Sequence, residues 1–232
     1  MMTDTLTYGT TSITYTIVPA NRKTLAILVE PDGTVIAKAP FTASLSEIKN
    51  KIHKRARWIL RQLHYFKSFG ERTPARRYIT GESHLYLGRQ YLLHVSIGKP
   101  DNVKYKGRNF EIVCSDKSKA EKLMKEWYKQ RAKIKFAEIA EPIIQRFKKY
   151  NIEPSSLYIQ EMNNRWGSCT KSKKIILNTE LIKAPRPCIE YVITHELCHL
   201  IHPDHTKLFY DLLYSEMPDW KKWKDKLERF LM

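Results

Sequence analysis

Thr194-His195-Glu196-Leu197-Cys198-His199-Leu200, with Asp204-His205-Thr206 just after it, decides how the rest of this 232-residue chain is read. On a helix, positions i and i+4 share one face with Cβ atoms about 5–6 Å apart. His195 and His199 at that spacing suit one zinc ion held at about 2.0–2.1 Å per Zn–N bond. Glu196 reaches the open side of such a metal, where a water needs a base. Ile189, Val192, Ile193, Leu197 and Leu200 recur with helical period, and Pro185 and Pro187 mark the start. His202-Pro203-Asp204 stops the helix, so the chain can turn and bring His205 back as a third ligand. The bland alternative is two core histidines and a surface glutamate. The apolar frame and the spacing of the third histidine weigh against it.

Composition sets the surroundings of that site. A hydrophobic fraction of 42% and an aromatic fraction of 11% suit a folded, soluble chain long enough for a real core. No stretch approaches the roughly 18 apolar residues of a membrane helix. The first nine residues lack the pattern of a secretory signal, so a cytoplasmic protein is expected. Cys114, Cys169, Cys188 and Cys198 show no Cys-x-x-Cys spacing and read as reduced thiols. A net charge of +17 favours polyanionic partners, nucleic acid first, against the plainer reading of a generally basic surface.

Along the chain, residues 10–41 read as strands, with Ile13, Tyr15 and Ile17 alternating and a hairpin around Pro31-Asp32-Gly33. Ser44 or Ser46 caps a helix to about Phe66, Ser44 with Glu47 fitting a capping box, and its outer face carries Lys49, Lys51, Lys54, Arg55, Arg57 and Arg61. Ser68 to Arg77 reads as a linker, Tyr78 to Val113 as short strands and hairpins. A long helix from Ser115 or Asp116 to about Tyr150 takes Leu123, Trp127, Ile134, Ala137 and Ile143 as its apolar positions, with Pro142 kinking or splitting it. Its lysines, among them Lys122, Lys125, Lys129 and Lys133, form either a solvated face or a nucleic-acid surface. Leu157 to Glu161 and Ile175 to Asn178 read as strands of a small sheet beside the motif helix, and two further helices follow His205. No internal repeat is evident. The expected class is α+β, with a β-rich region at 1–114 and a catalytic domain at 115–232.

Arg165-Trp166-Gly167-Ser168-Cys169, Ile175-Ile176-Leu177-Asn178 with Leu181, the His195–Leu200 motif, His205 with Phe209, and Met217-Pro218-Asp219-Trp220 with Trp223 resemble the YgjP-like metallopeptidases. These are related to SprT-type and other small zincins. Residues 31–35, Ala39-Pro40, Trp58-Ile59 and Tyr86-Leu87-Gly88 extend the resemblance over nearly the whole chain. It implies a zincin-type domain with His195, His199 and His205 as ligands of one Zn2+ and Glu196 as catalytic base. A peptide or protein substrate follows. Arg165, Trp166 and Asn178 are candidates for binding it, and Asn178 and Glu190 for orienting the imidazoles. Glu216 and His202 are alternative third ligands, and His205 is the better placed.

Three other readings remain open. The enzyme could act on proteins bound to nucleic acid. The same zinc site could hydrolyse the phosphoanhydride of a nucleotide. Or the chain could be a DNA-binding module with structural zinc.

Overall fold

The structure, a computed structural model, describes residues 2–30, 32–67, 76–163 and 165–230, without the side chains of Tyr65, Phe66 and Phe230. Pro31 and most of the expected linker lie outside the described residues. The chain divides into two compact units, Met1–Pro74 and Ala75–Met232.

In the first unit, β1 (Met2–Tyr8) pairs antiparallel with β2 (Thr11–Pro19) across a turn in which Gly9 has a φ of +61°. The alternation of Ile13, Tyr15 and Ile17 buries one face of β2. Threonine-rich β1 precedes the strands expected from residue 10 on; it carries little apolar signal, since Leu6 and Tyr8 are its main apolar residues and both are only half-buried. The hairpin expected around Asp32-Gly33 joins β3 (Ala26–Val29) to β4 (Val35–Ala39), and β4 runs parallel to β2. The order is β1-β2-β4-β3. The capping box starts α1 (Leu45–Lys67): Ser44 Oγ accepts from the Glu47 N–H at 3.3 Å, and Glu47 Oε2 accepts from the Ser44 N–H at 2.8 Å. Ile48, Ile52, Ala56 and Ile59 of α1 join Tyr15, Val35 and Ala37 in this unit's core.

The second unit opens by repeating that topology. Strands β5 (Ser83–Tyr86), β6 (Arg89–Ile97), β7 (Asn102–Lys106) and β8 (Asn109–Cys114) form two hairpins in the order β5-β6-β8-β7, joined by a parallel β6–β8 pair and followed by a helix. Positive-φ turn glycines recur as well, Gly9 and Gly33 in one sheet and Gly88 and Gly107 in the other. So there is an internal repeat, but of backbone path. Its core residues differ enough that the sequence pattern hides it.

The helix after this sheet, α2 (Ala120–Phe147), is a single helix through Pro142. Asp116 caps the 3-10 turn that precedes it, accepting from the Ser118 N–H at 2.8 Å. Its buried stripe runs through Met124, Tyr128, Ala132, Phe136, Ile143 and Phe147. That is a shift from the expected Leu123, Trp127 and Ile134, and Ile134 is 48% exposed. Tyr128 tolerates burial because its hydroxyl donates to the Leu85 carbonyl at 2.7 Å. Trp127 lies at the stripe's edge, its ring 4.8 Å from that of Phe110. One continuous core links the second sheet, α2 and the histidine-bearing helix. The boundary expected at 114/115 therefore falls inside the second unit, because α2 covers both the sheet before it and the elements after it.

Those elements are β9 (Ser156–Gln160), β10 (Gly167–Cys169), β11 (Lys174–Asn178), α3 (Arg186–His199), α4 (Lys207–Glu216) and α5 (Trp220–Phe230). The small sheet has the order β10-β11-β9, which leaves β10 with a free edge among the described residues. Together the elements bear out an α+β class. Among the described residues no helix is long and apolar enough to cross a membrane.

Candidate metal centre

Arg186 and Pro187 begin α3, where a missing proline N–H costs nothing. The start is held from the side. The Leu87 and Gly88 N–H groups donate to the Ile182 and Lys183 carbonyls at 2.9 and 3.0 Å. A Cβ on Gly88 would come within 2.8 Å of Pro185. The apolar face of α3 buries Ile189, Val192, Ile193 and Leu197 as its periodicity predicts. That fixes the rotation of the helix and turns His195 and His199 toward a cleft.

The three expected histidines meet there. His199 Nε2 and His205 Nε2 each lie 3.1 Å from His195 Nε2. A tetrahedral ion with bonds of about 2.0–2.1 Å separates its nitrogens by about 3.3 Å, so the donor set fits a metal. Among the described residues this trio is the cluster capable of holding one. Burial, then the neighbouring His199 and His205, push the His195 pKa down to about 3. Burial likewise lowers that of His199. Both rings are neutral at pH 7, with lone pairs free to ligate. His199 Nδ1 lies 3.3 Å from the His202 carbonyl, which directs the Nδ1 proton outward and leaves Nε2 as the ligating atom. His195 Nδ1 is buried without a partner among the described residues.

Phe209 of α4 is the floor of the cluster. Fully buried, it places its ring centroid 5.0, 4.6 and 4.7 Å from those of His195, His199 and His205. Glu196 flanks the trio and is 6% exposed. Burial raises its pKa to about 7, against an opposing pull from the Arg165 charge. A cleft of about 510 Å³ opens over these groups. One wall is β10 with the turn after it, and the other is α3 with the segment leading to His205.

The sequence profile of the family described as YgjP-like, metallopeptidase domain, matches residues 23–230. The chain belongs to the YgjP-like family. A search among curated proteins finds no match. Membership makes metallopeptidase the class of activity to be explained, and it implies a metal and a peptide or protein substrate.

Other expected residues of this YgjP-like chain scatter around the centre. Arg165 lines the cleft. Trp166 packs against the core instead. Asn178 is buried, and its amide donates to the Met162 and Arg165 carbonyls at 2.7 and 2.8 Å. Its backbone N–H holds the Trp166 carbonyl at 2.9 Å. Asn178 thus ties down the segment entering β10 and makes no hydrogen bond to an imidazole. Nor does Glu190, which pairs with Arg186 at 2.8 Å. Glu216 is not in the cluster either. Its buried carboxylate accepts from Arg146, Lys149 and Tyr150 at 2.7–2.8 Å.

Lys122, Lys125, Lys129 and Lys133 are all exposed on α2, but Glu121, Glu126 and Glu161 share the shallow groove with the first three of them, and Lys125 pairs with Glu121 at 2.7 Å. The four cysteines are free thiols. Gly167 and Phe209 stand in the motifs of the resemblance, but what they do is visible only in the structure: Phe209 packs under the three imidazoles, and Gly167 lets β10 approach Glu196 closely.

Proposed function

We propose that this chain is a zinc peptidase in which Glu196 is the general base. The observation that carries the reading is a buried carboxylate beside three convergent Nε2 atoms at the base of an open cleft. His195, His199 and His205 would hold one Zn2+, an ion suited to three imidazoles with a position left for substrate. When bound, zinc lowers the pKa of water toward about 7 and polarises a carbonyl.

The chain's own residues do the rest. Glu196, its pKa raised to about 7 by burial, takes a proton from the attacking water and returns it to the leaving amine as the C–N bond breaks. The free edge of β10 can pair with an extended peptide through its backbone, which would lay the scissile bond along the cleft. Asn178 keeps that edge in place by holding the carbonyls before it.

The test is metal content by mass spectrometry beside peptide cleavage, for the wild type, His199→Ala and Glu196→Gln. About one zinc per chain is expected, lost in His199→Ala and kept in Glu196→Gln, with cleavage lost in both. Zinc retained in His199→Ala would overturn the ligand set. Phosphate release from nucleoside triphosphates without peptide cleavage would favour the nucleotide hydrolase instead. A structural zinc would be closed by a fourth ligand. That reading predicts zinc in the wild type with no cleavage of any substrate.

A second reading, that a nucleic acid presents the substrate, is favoured by α1 of the first unit. Lys49, Lys51, Lys54, Arg55, Arg57 and Arg61 are all exposed there, and Glu47, spent on the capping box, is the helix's one acid. Lys49 pairs with Asp4 at 3.4 Å, and the other five cations of this face have no ion pair among the described residues, which leaves more unopposed charge for phosphates than on the α2 lysines.

A further inference from the structure

The walls of the cleft carry charge of one sign. Arg165, Lys171 and Lys173 line it, and the sole acid lining it among the described residues is Glu196, already engaged as the base. Among the described residues, none of the three cationic side chains has an ion-pair or hydrogen-bond partner. Some lysines elsewhere in the same unit are paired, Lys125, Lys135 and Lys183 with Glu121, Glu138 and Glu180; what sets the cleft group apart is that its charges converge on one cavity beside Glu196. Asp204 lies near His199 and does not line the cleft.

The lysines are held on an ordered turn. The Thr170 N–H donates to the Lys174 carbonyl at 2.9 Å, and the Lys173 N–H to the Thr170 carbonyl at 3.0 Å. From outside, Ser155 donates through its N–H to the Lys173 carbonyl at 2.9 Å and through its hydroxyl to the Ser172 carbonyl at 2.8 Å. Lys173 sits at a φ of +60°, a left-handed conformation that glycine or asparagine adopts at lower cost. A lysine kept there, facing the cleft, points to a use for its side chain. An ordered turn also loses little entropy when it binds.

We infer that the cleft selects peptides bearing carboxylate side chains, with Lys171, Lys173 and Arg165 reading aspartate or glutamate beside the scissile bond. The inference rests on the peptidase reading. A peptide paired with the free edge of β10 would lie beside the cleft that both lysines line, because the turn carrying them follows β10 directly. Lysine is a point charge that takes a carboxylate from several directions, which suits a preference for acidic residues over one strict motif.

The experiment uses the zinc-loaded Glu196→Gln chain of all 232 residues and calorimetric titration with two short peptides, one with glutamates at alternate positions and one with glutamines in their place. The acidic peptide should bind roughly tenfold tighter at physiological salt. Lys171→Gln/Lys173→Gln should remove that preference, and Lys122→Gln/Lys125→Gln/Lys129→Gln on α2 should keep it. Equal binding of the two peptides overturns the inference. So does a preference that survives the first substitution, which would mark general surface charge, or one that nucleoside triphosphate displaces more strongly than excess acidic peptide.

Because this readout needs no turnover, the two readings fail separately. A wild type that cleaves both peptides at equal kcat/KM refutes the charge selection and leaves the peptidase. Intact selection without cleavage of any peptide does the reverse.

Discussion

Gly167 leaves no room for a side chain against Glu196: a Cβ there would lie 2.7 Å from Glu196 Oε1 and 2.9 Å from Val192 Cγ1. The edge strand and the motif helix are therefore as close as two backbones with one side chain between them allow. That close approach shields the carboxylate from water and raises its pKa. Gly167→Ala should push β10 away from α3 and move the peptide edge relative to the base. Misplacement of about 1 Å can cost on the order of a hundredfold in rate. The expected result is a fall in kcat of at least about tenfold with zinc content unchanged. Unchanged kcat would mean that β10 does not position the substrate.

Phe209 touches all three imidazoles, and this makes a hydrophobic residue part of the histidine cluster. Phe209→Leu keeps an apolar floor but withdraws the ring face from His199, at present 4.6 Å between centroids. The rings gain freedom that metal binding must then remove. Zinc affinity, measured by competition with a chelator, should weaken by about 10–100-fold, the usual effect of losing a group that orients ligands. An unchanged affinity would assign orientation to the backbone alone.

If α1 is a nucleic-acid surface, its binding must be electrostatic, since its apolar residues Ile48, Ile52 and Ile59 are consumed by the core. Replacing Lys51, Lys54, Arg55 and Arg57 by glutamine should weaken binding of a DNA duplex and flatten its dependence on salt, by roughly one unit of slope for each phosphate no longer neutralised. The α2 substitutions at Lys122, Lys125 and Lys129 should have the smaller effect, because acids stand beside them. The reverse ranking would move the surface to α2. No binding at low salt by the wild type would remove nucleic acid from the account.

The histidine trio was legible because its information is local. Spacing on one helix and a proline-directed turn are enough to bring His195, His199 and His205 together, and the apolar period fixes which face they occupy. What surrounds the trio depends on residues distant in sequence. Asn178 has the polarity of a site residue, yet its amide is spent on the Met162 and Arg165 carbonyls. Trp166 adjoins the cleft in sequence and faces the core. On α2 the buried stripe is shifted from the expected one by one position and takes in Tyr128, whose hydroxyl finds the Leu85 carbonyl, a partner from a distant strand. The twofold hairpin path is written in turn glycines while its strands diverge, so no pattern match reveals it.

Glu216 gives a pH test of how α4, and with it Phe209, is anchored. Burial alone would raise the pKa of this carboxyl, but hydrogen bonds from Lys149, Tyr150 and Arg146 outweigh burial and hold it below the usual 4.5. A carboxyl whose folded pKa lies below its unfolded value stabilises the fold fully above about 4.5, and loses that contribution as pH falls through the folded pKa. Glu216→Gln should therefore cost about 1–3 kcal/mol in urea unfolding at pH 7, the range for buried hydrogen bonds to charged groups whose cations remain partly in water. The gap between variant and wild type should narrow as the pH drops below about 4.5. Tying α4 to the end of α2 also fixes the ring beneath the histidines, so the variant should bind zinc more weakly at pH 7. A stability gap of equal size at pH 7 and pH 3.5 would show that Glu216 is not held ionised, and the anchor would then be packing through Leu213 and Phe209 alone.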